Sequence, residues 1–225
     1  MVDLQPAGVP LNAPRGGQPS ELPVRYGKLL KHAVDRLVAV GVLPFAVGPA
    51  ALVAGLIKLE DFARGEPRAS VFYRERRVSA GEAFDLLKFR VVRPSALAAH
   101  RARGGRTVKE LEGDPQALSC VGRFLVDYYL DELPQLLHVL SGRMSLVGPR
   151  PVWPHDTRRL EYFRPFRIKA GLAGTFQLAK GTGDIFDLDR IYLREYARRG
   201  PLSLLRYDLS VLRATLRKMT RGEGL

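Results

Sequence analysis

The longest apolar segment of the chain runs from Leu37 to Ile57 without a charged residue. About 20 apolar residues are enough for a helix to cross the hydrocarbon core of a bilayer, so the run predicts a helix that enters a membrane. A buried core helix of a soluble protein is the alternative. Pro44 and the pair Gly48-Pro49 interrupt the run and predict a bend in this helix.

Basic residues flank both ends of this apolar run. They are Arg25, Lys28, Lys31 and Arg36 before it, and Lys58, Arg64 and Arg68 after it. Because positively charged segments stay on the cytoplasmic side, both ends are expected there, and residues 25–60 are predicted to form a re-entrant membrane helix. The Pro- and Gly-containing segment 1–24 has no apolar periodicity and is predicted to be a flexible tail.

Residues 61–225 are predicted to form a cytoplasmic domain that begins with a β-hairpin. Strand-like runs at Val71–Tyr73 and Ala83–Leu87 are separated by a turn at Ser79–Gly81. The segment Val91–Ser119 is polar and is expected to be irregular.

Helices are predicted in the rest of this domain, over Val121–Tyr129 and Pro134–Leu140. In Leu202–Met219, leucines recur every three or four residues, which predicts an amphipathic helix that packs on the domain or lies on a membrane surface. The fold class is therefore α+β, mainly helical with a small β-hairpin. The expected architecture is a monotopic membrane protein with a re-entrant N-terminal helix and amphipathic interfacial helices.

The net charge of +13 favours anionic partners, which include phosphorylated substrates, an anionic membrane face and nucleic acid. A single cysteine, Cys120, excludes an intrachain disulfide. The sequence has no Cys/His spacing typical of zinc and no Walker-type phosphate loop.

The residues best suited to chemistry lie between Leu130 and Pro154. Asp131 and Glu132 precede Pro134, which suits a first helical turn, so both acids are expected near a helix N-terminus. A structural role for Asp131 as a helix cap is the alternative. The stretch closes on Gly148-Pro149-Arg150-Pro151, a rigid loop that presents one arginine.

The segment DELPQLLHVLSGRMSLVGPRP, residues 131–151, resembles the signature of the bacterial sugar transferase family, the monotopic polyprenyl-phosphate phosphoglycosyl transferases. The resemblance extends from about Lys31 to about Thr215. It implies transfer of a phosphosugar from a UDP-sugar to polyprenyl phosphate with release of UMP. It places the catalytic domain on the cytoplasmic face of the bacterial inner membrane.

The same resemblance implies roles for individual residues. Asp131 is the expected nucleophile that forms a covalent aspartyl-phosphosugar, Glu132 assists it, and both are expected to bind Mg²⁺. The expected substrate-binding residues are Arg150, Lys88, Arg90, Lys169, Gln177 and Lys180. The implied partners are polyprenyl phosphate, a UDP-sugar and the lipid bilayer, with a possible homodimer and no nucleic acid.

The sequence departs from the family pattern at several positions. Val126 stands where the family commonly carries an arginine, and Arg123, one helical turn earlier, is the expected substitute. Lys180 replaces another arginine, and Ala170 replaces a proline. These departures leave a catalytically weakened membrane scaffold of the same family open as one alternative. A basic nucleic-acid-binding protein, suggested by the net charge alone, is the other.

Overall fold

The computed structural model describes residues 28–105, 107–178 and 184–221. The predicted tail, 1–24, and Lys180 lie outside the described residues. The described chain divides into two compact units. The first unit contains residues 28–40, 76–85 and 137–218, and the second contains residues 41–75, 86–136 and 219–221. The predicted division at residues 24 and 60 stays a prediction.

The elements follow one another along the chain as helices with two small sheets between them. They are α1 (Lys28–Ala63), β1 (Phe72–Ser79), β2 (Glu82–Phe89), α2 (Pro94–Ala102), α3 (Lys109–Glu112), α4 (Cys120–Asp127), a 3₁₀ segment (Leu130–Gln135), α5 (Leu136–Leu140), β3 (Ser145–Val147), α6 (Thr157–Phe163), a second 3₁₀ segment (Arg164–Phe166), β4 (Gly171–Ala173), α7 (Thr175–Leu178), α8 (Ile185–Arg198) and α9 (Pro201–Thr220). The predicted mainly helical chain with a small antiparallel hairpin is confirmed.

Helix α1 carries the apolar run and is long and apolar enough to cross a bilayer. Large apolar side chains are exposed along it, with Leu37 71% and Phe45 81% exposed. Such an exposed apolar surface points to a membrane association. Helical backbone continues through Pro44 and Pro49, so no loop separates two half-helices there. The re-entrant course and the side of the membrane stay predictions.

The predicted hairpin is confirmed, with β1 and β2 joined by the two residues Ala80 and Gly81. Both have positive φ, 53° and 85°. Two consecutive left-handed residues are what a type I′ turn requires, and this turn matches the natural twist of the two strands.

The expectation of an irregular segment at Val91–Ser119 is wrong, because this segment contains α2 and α3. Helix α2 starts on Pro94, whose fixed φ suits a first helical position. The segment also supplies much of the core of the second unit. That core is formed by Val53, Ile57, Phe89, Val91, Val92, Val108, Leu111, Ala117, Leu118, Leu125 and Val126.

The predicted helix at the C-terminal end is confirmed as α9, but its buried face differs from the predicted one. The buried side chains are Leu204, Tyr207, Asp208, Val211 and Thr215. Leu202, Leu209 and Leu216, from the predicted apolar face, are exposed. Packing of this leucine face on the domain is therefore not what the structure shows, and its contact with a membrane surface stays a prediction.

A buried polar cluster in the first unit connects α1 to α9. Lys31, only 2% exposed, places its Nζ 2.7 Å from Oδ2 of Asp208 and 3.4 Å from Oδ2 of Asp35. Tyr192 donates a hydrogen bond to Asp208, and Ser145 donates one to Asp35. Because a buried ammonium group is tolerated only when it is paired, this cluster holds the N-terminal turns of α1 in one position.

Candidate active site

Two acids and one lysine meet in the second unit. Asp131 and Glu132 lie in the first turn of the Leu130–Gln135 3₁₀ segment, and Lys88 lies near the end of β2. The Lys88 Nζ lies 3.2 Å from Oδ2 of Asp131 and 3.1 Å from Oε1 of Glu132. One ammonium group therefore bridges both predicted catalytic carboxylates.

The alternative role of Asp131 as a helix cap is not what the structure shows. The residue at the cap position is Tyr129, which has a left-handed φ of 55° and forms no side-chain cap. Helix α4, which leads into the acids, is capped by other residues. Ser119 accepts a hydrogen bond from the Gly122 N–H, and Glu60 accepts from the N–H groups of Cys120 and Val121.

The electrostatics of this site favour protonation of Asp131. Burial and the neighbouring Glu132 and Glu112 carboxylates raise the pKa of Asp131 to about 6, although Lys88 opposes the rise. Burial lowers the pKa of Lys88, but the Asp131, Glu132 and Glu112 carboxylates outweigh it, so the net shift is upward. Lys88 is therefore a permanent cation, and Asp131 is a carboxylate whose charge depends on that cation.

Arg90 is placed away from the acids, in contact with Asp61. Its Nη2 lies 2.6 Å from both carboxylate oxygens of Asp61, and the guanidinium also donates to the carbonyls of Ser70 and Val92. It is 5% exposed. This geometry does not favour the predicted contact with a substrate phosphate, because the donors of Arg90 are used within the fold.

We therefore expect Arg90→Met to act on stability, with a loss of about 3–5 kcal/mol because Asp61 is left buried and unpaired. The measurement is chemical denaturation in detergent. The control is Arg76→Met, which removes an exposed ion pair with Asp85 and is expected to cost less than about 1 kcal/mol. Equal losses for the two variants would contradict this structural assignment of Arg90.

The predicted arginine of the Pro-Arg-Pro loop belongs to the first unit. The Arg150 N–H donates to Oδ1 of Asp189 at 3.0 Å, and its carbonyl accepts from Nη2 of Arg159 at 3.0 Å. Its guanidinium carbon lies 5.7 Å from the centre of the Phe176 ring. Among the described residues, no carboxylate lies within salt-bridge distance of this guanidinium. It is therefore available to an anion.

The other two predicted binding residues of the first unit differ in exposure. Lys169 is half-buried, and burial, with a contribution from Arg36, lowers its pKa. Gln177 is buried, accepts a hydrogen bond from the Gly174 N–H and donates one to the Leu172 carbonyl. Gln177 thus supports the β4–α7 turn within the fold.

Three glycines, Gly148, Gly171 and Gly174, let two backbone segments approach each other closely. Strands β3 and β4 pair in parallel, with Ser145 opposite Gly171. A Cβ on Gly171 would lie 2.1 Å from the Gly148 nitrogen, and a Cβ on Gly174 would lie 2.3 Å from the Gly148 oxygen. The glycines are therefore required by packing between the two strands.

The position of the missing family arginine is apolar in this chain. Val126 is buried in the core of the second unit, and Arg123 is exposed and donates to the Pro115 carbonyl. One donor of Arg123 is therefore used within the fold.

Sequence reasoning also gave no role to Arg159 or Asp189, because no local motif surrounds either residue. The one signal in the sequence was that Asp189 is an acidic residue among the apolar positions of α8.

Comparisons with known proteins identify one family. The sequence pattern of bacterial sugar transferases matches residues 26–222. The chain is 34% identical over 180 residues to the exopolysaccharide production protein ExoY of Sinorhizobium fredii strain NGR234, covering 73% of this chain and 75% of that protein. It is 36% identical over 183 residues to the UDP-glucose:undecaprenyl-phosphate glucose-1-phosphate transferase of Caulobacter vibrioides, covering 79% of this chain and 62% of that protein.

A more distant relative is the galactosyl transferase CpsE of Streptococcus agalactiae, 30% identical over 189 residues. These residues are 77% of this chain and 40% of CpsE. The chain thus spans three quarters of ExoY, but less than two thirds of the other two relatives.

Proposed function

Because the chain belongs to the bacterial sugar transferase family, we propose that it transfers the sugar phosphate of a UDP-sugar to undecaprenyl phosphate. The expected products are UMP and a polyprenyl diphosphate sugar, which would begin exopolysaccharide synthesis. The observation that carries the proposal is the pair Asp131 and Glu132, held by Lys88 inside a sequence that the family pattern matches almost throughout.

We propose a mechanism with two displacements at one phosphorus atom. An Asp131 carboxylate oxygen attacks the β-phosphorus of the UDP-sugar, and the bond from that phosphorus to the bridging oxygen breaks. UMP leaves with the electron pair, and an aspartyl-phosphosugar remains. An oxygen of the lipid phosphate then attacks the same phosphorus and releases the Asp131 carboxylate. The new bond is the diphosphate link of the lipid product.

The charges of the described residues suit these steps. Lys88 favours the ionised form of Asp131 that attack requires. Arg150 is proposed to bind a substrate phosphate because of its place in the family signature. Glu132, which contacts the same ammonium group, is proposed to assist Asp131.

Mg²⁺ is proposed as the cofactor, bound by Asp131 and Glu132. Among the residues that the structure describes, no cluster of three or more acidic, His or Cys side chains could hold a metal alone. Two carboxylates nevertheless fit Mg²⁺, because this ion is commonly bound by one or two carboxylates together with substrate phosphates. When bound, it would offset the negative charge of the diphosphate.

Removal of divalent cations with EDTA is expected to lower UMP release by about 10²-fold or more, since the diphosphate would lose this charge neutralisation. The measurement is UMP release before and after addition of Mg²⁺ to the treated protein. Full activity in EDTA would contradict the proposed cofactor.

The proposed function is tested with a panel of UDP-sugars labelled in the β-phosphate. Purified protein in detergent is incubated with each sugar, with and without undecaprenyl phosphate. Label that enters the lipid fraction with equal release of UMP supports the proposal. No transfer from any UDP-sugar would instead favour the membrane scaffold, and detergent-free solubility with DNA binding would favour the nucleic-acid-binding protein.

The covalent intermediate is tested by leaving out the lipid acceptor. The protein is then expected to gain the mass of one phosphosugar. Hydroxylamine should remove this mass, because it cleaves acyl phosphates, and Asp131→Asn should never acquire it. Label on any other residue would contradict the role of Asp131.

The proposed location is the cytoplasmic face of the bacterial inner membrane, with α1 as a re-entrant helix. Exposed apolar side chains along α1 and the basic residues at both ends support this location. We expect single cysteines placed at Arg25 and Arg68, in a Cys120→Ser background, to react with impermeant reagents only from the cytoplasmic side. Periplasmic labelling at Arg25 would show a complete crossing.

A further inference from the structure

We propose that Arg159 and Asp189 are positioning residues that hold Arg150 in the orientation needed to bind a phosphate of the nucleotide sugar. This inference rests on the proposed function, because it assigns a task to the Pro-Arg-Pro loop of the same reaction.

The observation is that one ion pair uses both backbone polar groups of Arg150. Asp189 accepts from the Arg150 N–H at 3.0 Å, and Arg159 donates to the Arg150 carbonyl at 3.0 Å. Arg159 and Asp189 are also hydrogen-bonded to each other. Asp189 is fully buried, and Arg159 is 6% exposed.

Because Arg150 lies between two prolines, its backbone conformation depends strongly on the Arg159–Asp189 ion pair. Pro149 and Pro151 have a fixed φ and no N–H, so the Arg150 amide is the only backbone donor of the triplet. With its N–H and carbonyl both bonded, the peptide groups on either side of Arg150 cannot rotate without breaking a buried hydrogen bond. The backbone from which the Arg150 side chain extends is thus fixed before substrate binds.

The ion pair itself is anchored by helices α6 and α8. Asp156 caps α6 by accepting from the Arg159 N–H at 3.1 Å, and Asp189 lies on α8. Burial raises the pKa of Asp189 to about 6 although Arg159 opposes it, so the carboxylate is ionised at neutral pH. A buried pair of this kind contributes little net stability but strongly restricts geometry.

The first experiment measures amide hydrogen exchange of Arg150 in the full chain in detergent. Because Pro149 and Pro151 have no amide proton, a peptide covering 148–152 reports Arg150 together with only one other internal amide, that of Val152, which bonds to the Val78 carbonyl. Asp189→Ala is expected to accelerate exchange at Arg150 by about 10²-fold or more, whereas Asp189→Asn, which keeps the acceptor oxygen, should stay within about 10-fold of the wild type. The control is Asp187→Ala, on the same helix, which pairs only with Arg190 at the surface among the described residues. Equal exchange in all four proteins would overturn the proposal.

The second experiment is a double-mutant cycle on kcat/KM for the preferred UDP-sugar. A small misplacement of a binding group can cost about 10²-fold, so Asp189→Ala is expected to lower kcat/KM by about 10- to 100-fold. In an Arg150→Ala background, Asp189→Ala should have no further effect, because it acts through Arg150. Losses that multiply would show a general structural role and overturn the proposal.

The two proposals fail in different ways. A wild-type protein that uses no UDP-sugar contradicts the proposed function, and the same cycle is then read in the Kd for UDP measured by calorimetry. If Arg150→Ala weakens UDP binding and Asp189→Ala does not, the positioning role is wrong. If both weaken it without additivity, the positioning role stands independently of turnover.

Discussion

Asp131→Asn is expected to lower sugar-phosphate transfer by about 10³-fold or more, because an amide cannot form the acyl phosphate. The loss should appear chiefly in kcat. The measurement is labelled transfer to undecaprenyl phosphate at saturating UDP-sugar. A matched control is Asp127→Asn, the same change four residues earlier, which should remain active. An Asp131→Asn protein with most of its activity would remove Asp131 from the role of nucleophile.

The same substitution is not expected to destabilise the protein at neutral pH. The folded state raises the pKa of Asp131 from 3.8 to about 6, so folding favours its protonated form. The contribution of this group to stability is therefore present below about pH 4 and is lost as the pH rises through about 6. A neutral Asn removes that unfavourable charge, so Tm at pH 7.5 should be unchanged or higher. A large fall in Tm would mean that the ion pair with Lys88 outweighs the burial of the charge.

Lys88→Met is expected to lower transfer at pH 7.5 by about 10²-fold, because the carboxylates of Asp131 and Glu132 lose their shared cation. Without that cation the pKa of Asp131 rises above about 6. The ionised nucleophile then forms only at higher pH. The measurement is kcat between pH 5 and 9.

The pH profile separates an electrostatic role of Lys88 from general damage. The wild-type rate should rise as Asp131 loses its proton near pH 6, and the Lys88→Met rate should rise at a higher pH. Lys88→Arg keeps the charge and should keep the wild-type midpoint. A uniform loss at every pH in Lys88→Met would contradict the assignment.

The elements that the sequence predicted are those with a strong local signal. The uncharged run of α1, the short turn of the hairpin and the leucine repeat of α9 each identified an element. The signature segment contains Asp131, Glu132 and Arg150. Its resemblance to a known family was the basis for the roles expected of these three residues.

Sequence reasoning was weakest for residues whose contacts are with residues far away along the chain. The binding role of Arg90 stays a prediction, but its partner in the fold, Asp61, lies at the end of α1, and no local pattern connects the two. The leucine spacing of α9 did not identify the face that packs on the domain, because buried Tyr207, Asp208 and Thr215 belong to that face. Asp189 was overlooked because its importance lies in one backbone hydrogen bond to a residue 39 positions earlier. Burial and long-range pairing cannot be inferred from spacing alone.

Helix α1 carries a buried charged residue near each end, and each is fixed by a partner from its own unit. Lys31 is bound by Asp208, and Asp61 is bound by Arg90. Each ion pair fixes which side of its own end of the helix faces the unit to which that end belongs. The fold itself therefore determines which apolar side chains α1 exposes. Bilayers of different lipid composition should therefore contact the same apolar side chains of α1.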